Sequence, residues 1–124
     1  MSKTVYTKNA PEAIGPYSQA VTTGNLVFTS GQIAIDPACG QVKAATIEEQ
    51  THQVCKNLSA VLEAAGSSLY KVVKTLCFLR DMKDFAAFNQ VYGEYFTGKP
   101  ARSCVAVREL PKGVLVEVDT VAEF

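Results

Sequence analysis

The spacing of apolar residues along the chain changes period several times, and each change marks an element. Lys3 to Thr7 reads as a short strand, followed by a loop rich in turn formers from Asn9 to Pro16. Ser18 to Thr22 and Leu26 to Ser30 are β-prone runs separated by Thr23-Gly24-Asn25, a hairpin signal. Ile33 to Ile35 follows, and Asp36-Pro37-Ala38-Cys39-Gly40 is a further turn. The period then becomes helical: Ile47, Val54, Cys55, Leu58, Val61, Leu62 and Ala65 share one face. Thr46 with Glu49 makes a capping-box pattern at its start, and Gly66 suits the residue just past its end. At 100° per residue His52 falls off the apolar stripe, which predicts a place near the solvent edge.

Val72 to Leu79 is apolar on both parities apart from Lys74 and Thr75, which predicts a central strand covered on both faces. A second helix is predicted after Asp81 or Asp84, with Phe85, Phe88, Val91, Tyr92, Tyr95 and Phe96 on one side. Gly93 within it costs about 1 kcal/mol relative to alanine, and Gly98 and Pro100 stop it. Two last runs, Ser103–Val107 and Val114–Ala122, flank the turn Leu110-Pro111-Lys112-Gly113.

In the final run Val114, Val116, Val118, Thr120 and Ala122 share one face, while Leu115, Glu117, Asp119 and Val121 share the other. In the run before it Arg102, Cys104, Ala106 and Arg108 share a parity. If the charged faces coincide, Arg102 and Asp119 look into one polar cleft. The alternative is an ordinary amphipathic sheet with its charges in water.

Strands alternating with two helices in a chain of 124 residues predict one α/β domain, a sheet with both helices on one face. Nothing is left to cover the other face, so self-association is expected. The N-terminus has no apolar core of a secretory signal, and no run reaches the ~18–20 apolar residues of a membrane helix. Cys39, Cys55, Cys77 and Cys104 lack metal-ligand spacing, and His52 is the one histidine, so no metal is expected. The cysteines are expected as reduced thiols in a cytoplasmic protein. Twelve basic and twelve acidic side chains cancel without a block of either sign, which argues against nucleic acid as the main partner.

Ala13-Ile14-Gly15-Pro16-Tyr17-Ser18-Gln19-Ala20, Phe28-Thr29-Ser30-Gly31-Gln32-Ile33, Pro100-Ala101-Arg102-Ser103-Cys104-Val105 and Leu110-Pro111-Lys112, with the Glu117-Val118-Asp119 strand, occur in that order. Together these blocks resemble the RidA (YjgF) family of reactive enamine/imine deaminases across the whole chain, 1–124. The resemblance implies an α+β, chorismate-mutase-like fold and a homotrimer whose strands form a central barrel with clefts between subunits. It implies hydrolysis of 2-iminobutanoate and 2-iminopropanoate to 2-oxo acids and ammonia, with no cofactor, which protects pyridoxal-phosphate enzymes.

On that resemblance Arg102 would grip the substrate carboxylate, a charge-assisted contact worth roughly 1.5–3 kcal/mol. Asp119 would orient or activate water with help from the Cys104 backbone, at a position where active members usually carry Glu. Tyr17, Ser30, Gly31 and Asn89 would line the cleft, some of them from a neighbouring subunit. Phe96-Thr97-Gly98-Lys99-Pro100 is shorter than the loop expected before the Pro-Ala-Arg block. No sequence neighbour supplies a base for the Cys104 thiol, whose free pKa is about 8.5. Two further readings stay open: a trimer that binds small oxo acids without turnover, and an RNA-directed activity.

Overall fold

Thr46 closes the expected capping box. Its hydroxyl accepts from the Glu49 amide at 3.1 Å, and the Glu49 carboxylate accepts from the Thr46 amide at 3.2 Å. In the computed structural model, which describes all 124 residues, helix α1 runs from there over Ile47–Ala64. Gly66 follows at φ +90°, a conformation that glycine adopts without a Cβ clash. Helix α2 spans Phe85–Tyr95. Asp81 caps the short 3₁₀ turn before it, accepting from the Lys83 amide at 2.9 Å, while Asp84 occupies the α2 cap position without a side-chain bond.

Eight strands precede, separate and follow the helices. They are β1 (Lys3–Val5), β2 (Ala20–Thr23), β3 (Leu26–Thr29), β4 (Ile35–Asp36), β5 (Gln41–Val42), β6 (Val72–Leu79), β7 (Ala101–Ala106) and β8 (Val116–Glu123). Six form one sheet in the order β1-β2-β3-β8-β6-β7, and β4 pairs with β5 alone. Every neighbour in the main sheet is antiparallel except β6 and β7. That parallel pair needs a crossover, and α2 supplies it. The expected α/β architecture with both helices on one face is therefore present, with strand ends shifted by up to two residues.

The last two runs are strands as expected, but their sheet order is not their chain order, and the expectation for β6 needs correction. The runs flanking Leu110–Gly113 are not sheet neighbours: β6 lies between β7 and β8. Their linker, which includes the turn Pro111–Gly113, passes the end of β6 rather than closing a hairpin. Nor does this chain cover both faces of β6. Val72, Thr75, Cys77 and Leu79 are buried beneath the helices, whereas Val73 and Leu76 remain 39% and 37% exposed.

The core lies between the helices and the sheet. Val54, Leu58, Val61 and Leu62 of α1 and Phe88 of α2 are fully buried, as are Val27, Val116 and Val118 of the sheet. Burying such side chains stabilises the fold by roughly 1.5–3 kcal/mol each. The opposite face is open, with Phe28, Leu76 and Val105 exposed upon it. No helix is long and apolar enough to cross a membrane.

His52 is not a free surface residue. Its Nδ1 lies 2.8 Å from the Tyr95 hydroxyl and it is half-buried, because α2 packs across the side of α1 that the helical projection leaves polar.

Candidate active site in two halves

Between the rungs Thr29–Thr120 and Gln32–Val118, β8 spends one residue, Asp119, while the facing chain spends two, Ser30 and Gly31. The Thr29 and Thr120 hydroxyl oxygens are 3.0 Å apart, and Gln32 and Val118 exchange backbone bonds of 2.8 and 3.2 Å. Two residues against one is a β-bulge, a device that re-aims side chains. Here it brings Gly31 against Glu117, so closely that a Cβ at position 31 would stand 2.9 Å from Glu117 Cδ. Ser30 is held by its amide to the Gln19 carbonyl at 2.9 Å and by its hydroxyl to the Ser18 carbonyl at 2.6 Å.

Gln19 carries the other wall. Its buried amide accepts from the Thr7 N–H at 2.7 Å and donates to the carbonyls of Thr7 and Pro11 at 3.0 and 2.8 Å. Through these bonds an irregular segment is fixed beside the sheet. The result is a cavity of about 390 Å³ lined by Tyr17, Gln19, Ser30, Gly31 and Glu117, with Ile14, Ile33 and Ile35 as its apolar part. Asn57 of α1 is fully buried and donates to the Ile33 and Ile35 carbonyls at 3.1 and 2.9 Å, which pins that apolar part to the core. Burial first, and then the nearby Asp119, raises the Glu117 carboxyl above its ordinary range. The one ion pair in the chain is Lys83–Asp81 on the surface, so no cation within the chain neutralises Glu117.

Asp119 does not line this cavity. It sits one step along the strand, beside Leu76 in the sheet register, and burial raises its carboxyl as well. Glu117 shares the strand face of Asp119, and no local pattern in the chain singles it out. The missed signal was the two-against-one count at Ser30-Gly31, which needs the register of β3 and β8 to be known.

The second half lies on the other side of the sheet. Arg102 is in register with Thr75, and both point toward α2. Its guanidinium carbon is 4.9 Å from the Tyr92 ring centroid and 5.4 Å from that of Phe85, and it donates to Asn89 Oδ1 at 2.6 Å. Tyr92 is itself fixed, its hydroxyl 2.8 Å from Thr75 Oγ1. Stacking and one hydrogen bond leave the rest of the guanidinium fork available to a planar anion.

Cys104 is in register with buried Cys77 on the same face. Burial raises its thiol, with Arg102 opposing, and raises the Cys77 thiol to about 12. Both therefore stay protonated near neutral pH. Val107 donates to the Leu79 carbonyl at 2.9 Å. By the alternation along a strand, the Cys104 N–H and C=O therefore point outward from the free edge of the sheet.

Arg102 and Asp119 thus do not share a cleft within one chain. Their strands flank β6, roughly 10 Å apart at ordinary strand spacing, and their side chains leave opposite faces. The same separation holds between Arg102 and Glu117. Of the expected site residues, the structure groups Tyr17, Ser30 and Gly31 in one place and Arg102, Asn89 and Cys104 in another. No cluster of three His, Cys, Asp or Glu side chains is placed to hold a metal ion.

Comparison with known proteins adds four findings. The chain is 47% identical to the 2-iminobutanoate/2-iminopropanoate deaminase of Escherichia coli, over 98% of each protein. It is 51% identical to a RutC family protein of Pyrococcus horikoshii, again over 98% of each. The crystal structure of E. coli TdcF with bound serine superposes with a TM-score of 0.94 at 40% identity, covering 98% of both chains. The family profile described as Endoribonuclease L-PSP matches residues 7–124, and with these relatives it establishes that the chain belongs to the L-PSP family, which is the YjgF/RidA/RutC family.

Proposed function

We propose that the protein hydrolyses reactive 2-imino acids, of the 2-iminobutanoate and 2-iminopropanoate type, to 2-oxo acids and ammonia, and so protects enzymes that such imines damage. The observation that carries this reading is the unpaired carboxylate of Glu117, held against Gly31 in a cavity of small-molecule size. Such a cavity with a few converging polar groups and a shifted carboxyl is a fitting place for proton transfer. The relative named for this reaction supports it.

Glu117 accepts a proton from water as the water oxygen attacks the carbon of the protonated imine, whose C=N electron pair moves onto nitrogen. Glu117 returns that proton to the nitrogen of the resulting carbinolamine, and the C–N bond breaks to release ammonia. The remaining hydroxyl gives up its proton, and the C=O bond of the oxo acid forms. Proton transfer by a positioned carboxyl contributes typically about 10²–10⁴-fold. An imine hydrolyses unaided, so positioning and one base suffice.

The substrate carboxylate is the business of Arg102, with Asn89 positioning its guanidinium. Arg102 cannot reach the Glu117 cavity of its own chain, so the functional site joins the Arg102 half of one copy to the Glu117 half of another. A homotrimer closing over the open sheet face and the free β7 edge satisfies this requirement and covers Phe28, Leu76 and Val105. In this arrangement the outward backbone of Cys104 assists, and Asp119 acts through its proximity to Glu117 and not on water.

The test couples a threonine dehydratase to the purified protein and follows 2-oxobutanoate formation with semicarbazide present as a competing trap. The expected result is faster oxo-acid release and less semicarbazone, lost on Glu117→Gln. Binding of 2-oxobutanoate without faster release would instead support the non-catalytic oxo-acid binder and overturn the enzyme.

A further inference from the structure

The cavity that holds Glu117 has a second acidic residue in its lining, contributed by the irregular N-terminal segment. Glu12 lines the cavity together with Glu117, and no lysine, arginine or histidine of the chain does. Its carboxylate has one partner within the chain: the Tyr6 hydroxyl donates to Glu12 Oε1 at 2.5 Å, and the neighbouring Pro11 carbonyl is held by Gln19. We propose that Glu12 is a specificity-determining residue that turns away substrates with an anionic side chain and leaves the cavity to neutral ones. The proposal rests on the reading of this cavity as the 2-imino acid site.

Size and charge both lead there. The cavity is of small-molecule size, about 390 Å³, so a ligand inside it lies within the ~8–10 Å reach of a charge on a lining residue. The α-carboxylate of an imino acid finds its counter-ion in Arg102 of a neighbouring copy. A second carboxylate on the side chain would find none in this lining, and would face Glu12 instead. A neutral side chain meets Ile14, Ile33 and Ile35. Repulsion built against one class of ligand is an effective source of discrimination, because attraction to an apolar wall alone separates ligands weakly. Tyr6 sharpens the effect by holding the carboxylate in place, since an unrestrained surface glutamate would swing into water.

Titration calorimetry with two stable oxo acids of similar length tests the proposal: 2-oxohexanoate, which has a neutral side chain, and 2-oxoglutarate, which has an anionic one. The wild-type protein is expected to bind 2-oxohexanoate about tenfold or more tightly than 2-oxoglutarate at low salt. Glu12→Gln should shrink that ratio at least about threefold, and so should raising the ionic strength, because Glu12 is an exposed charge. Equal binding of the two acids by the wild type, or a ratio unmoved in Glu12→Gln, overturns the role of Glu12 alone. Failure to bind either acid overturns the site itself, and the inference with it.

Discussion

Gly31 and Glu117 touch across a β-bulge so tightly that no side chain fits between them: a Cβ on Gly31 would lie 2.9 Å from Cδ and 3.1 Å from Cγ of the glutamate. The backbone at Gly31 is not in the left-handed region, so alanine is conformationally acceptable there. The obstacle is Glu117 itself, whose flexible end must move aside. Gly31→Ala is therefore expected to cost less than about 1 kcal/mol of stability and roughly a hundredfold in kcat/KM, because a displacement on the order of 1 Å at a reacting group has that effect. Chemical denaturation and the coupled dehydratase assay measure the two quantities side by side. An active Gly31→Ala enzyme would mean that Glu117 does not act from this position.

Two acids on one strand are expected to behave differently. Glu117→Gln should lower kcat by about 10²–10⁴-fold, the contribution of a positioned proton acceptor. Asp119→Asn, outside the cavity, should keep activity within about tenfold and move the acid limb of the pH–rate profile to lower pH. The direction follows from the second cause of the raised Glu117 carboxyl, the charge on Asp119, which the substitution removes. The opposite ranking of the two variants would return the catalytic role to Asp119.

Two inactive variants should rescue each other. Arg102→Ala lacks the carboxylate grip and Glu117→Gln lacks the base, but a site shared between copies needs one intact residue from each. Equal mixing by denaturation and refolding should restore about a quarter of the wild-type sites, the chance that a given pair of neighbours supplies both. Either variant refolded alone should stay inactive. No recovery from the mixture would place both residues in one subunit's site, against the sheet order seen here.

The raised carboxyls also leave a mark on stability. Glu117 and Asp119 ordinarily titrate at 4.5 and 3.8, and in the folded chain burial raises both. Between the ordinary and the raised values the folded state holds more protons than the unfolded state, so stability falls as pH rises through that window. The double variant Glu117→Gln/Asp119→Asn lacks this dependence. Urea denaturation from pH 4 to pH 7 should show the variant gaining on the wild type as pH rises. A constant difference across the range would mean that the carboxyls are not shifted.

Some of this arrangement was legible from residue order alone. Thr46 and Glu49 announce the start of α1 because a capping box is a local pattern, made within one turn. The alternation Val116, Val118, Thr120, Ala122 names the buried face of β8 because side chains alternate strictly along a strand. The expectation that helices would leave one sheet face bare also holds, since a chain with two helices has no third layer to offer. By contrast, His52 escaped a projection of α1 taken alone, because its surroundings depend on where α2 lies.

The same division runs through the candidate site. Which residues can carry the chemistry, and which strand faces they occupy, followed from the chain itself, through short-range rules of cap, turn and alternation. Which of them meet was decided by strand order and register: β6 inserted between β7 and β8, and an extra residue at Ser30-Gly31 opposite Asp119. Those pairings join residues far apart in the chain, 91 positions between Thr29 and Thr120, and their energy depends on packing that no local pattern encodes. So the chain alone named Arg102 and an acid on β8. Only the folded sheet sets Glu117 rather than Asp119 in the cavity, and turns Arg102 to the opposite face.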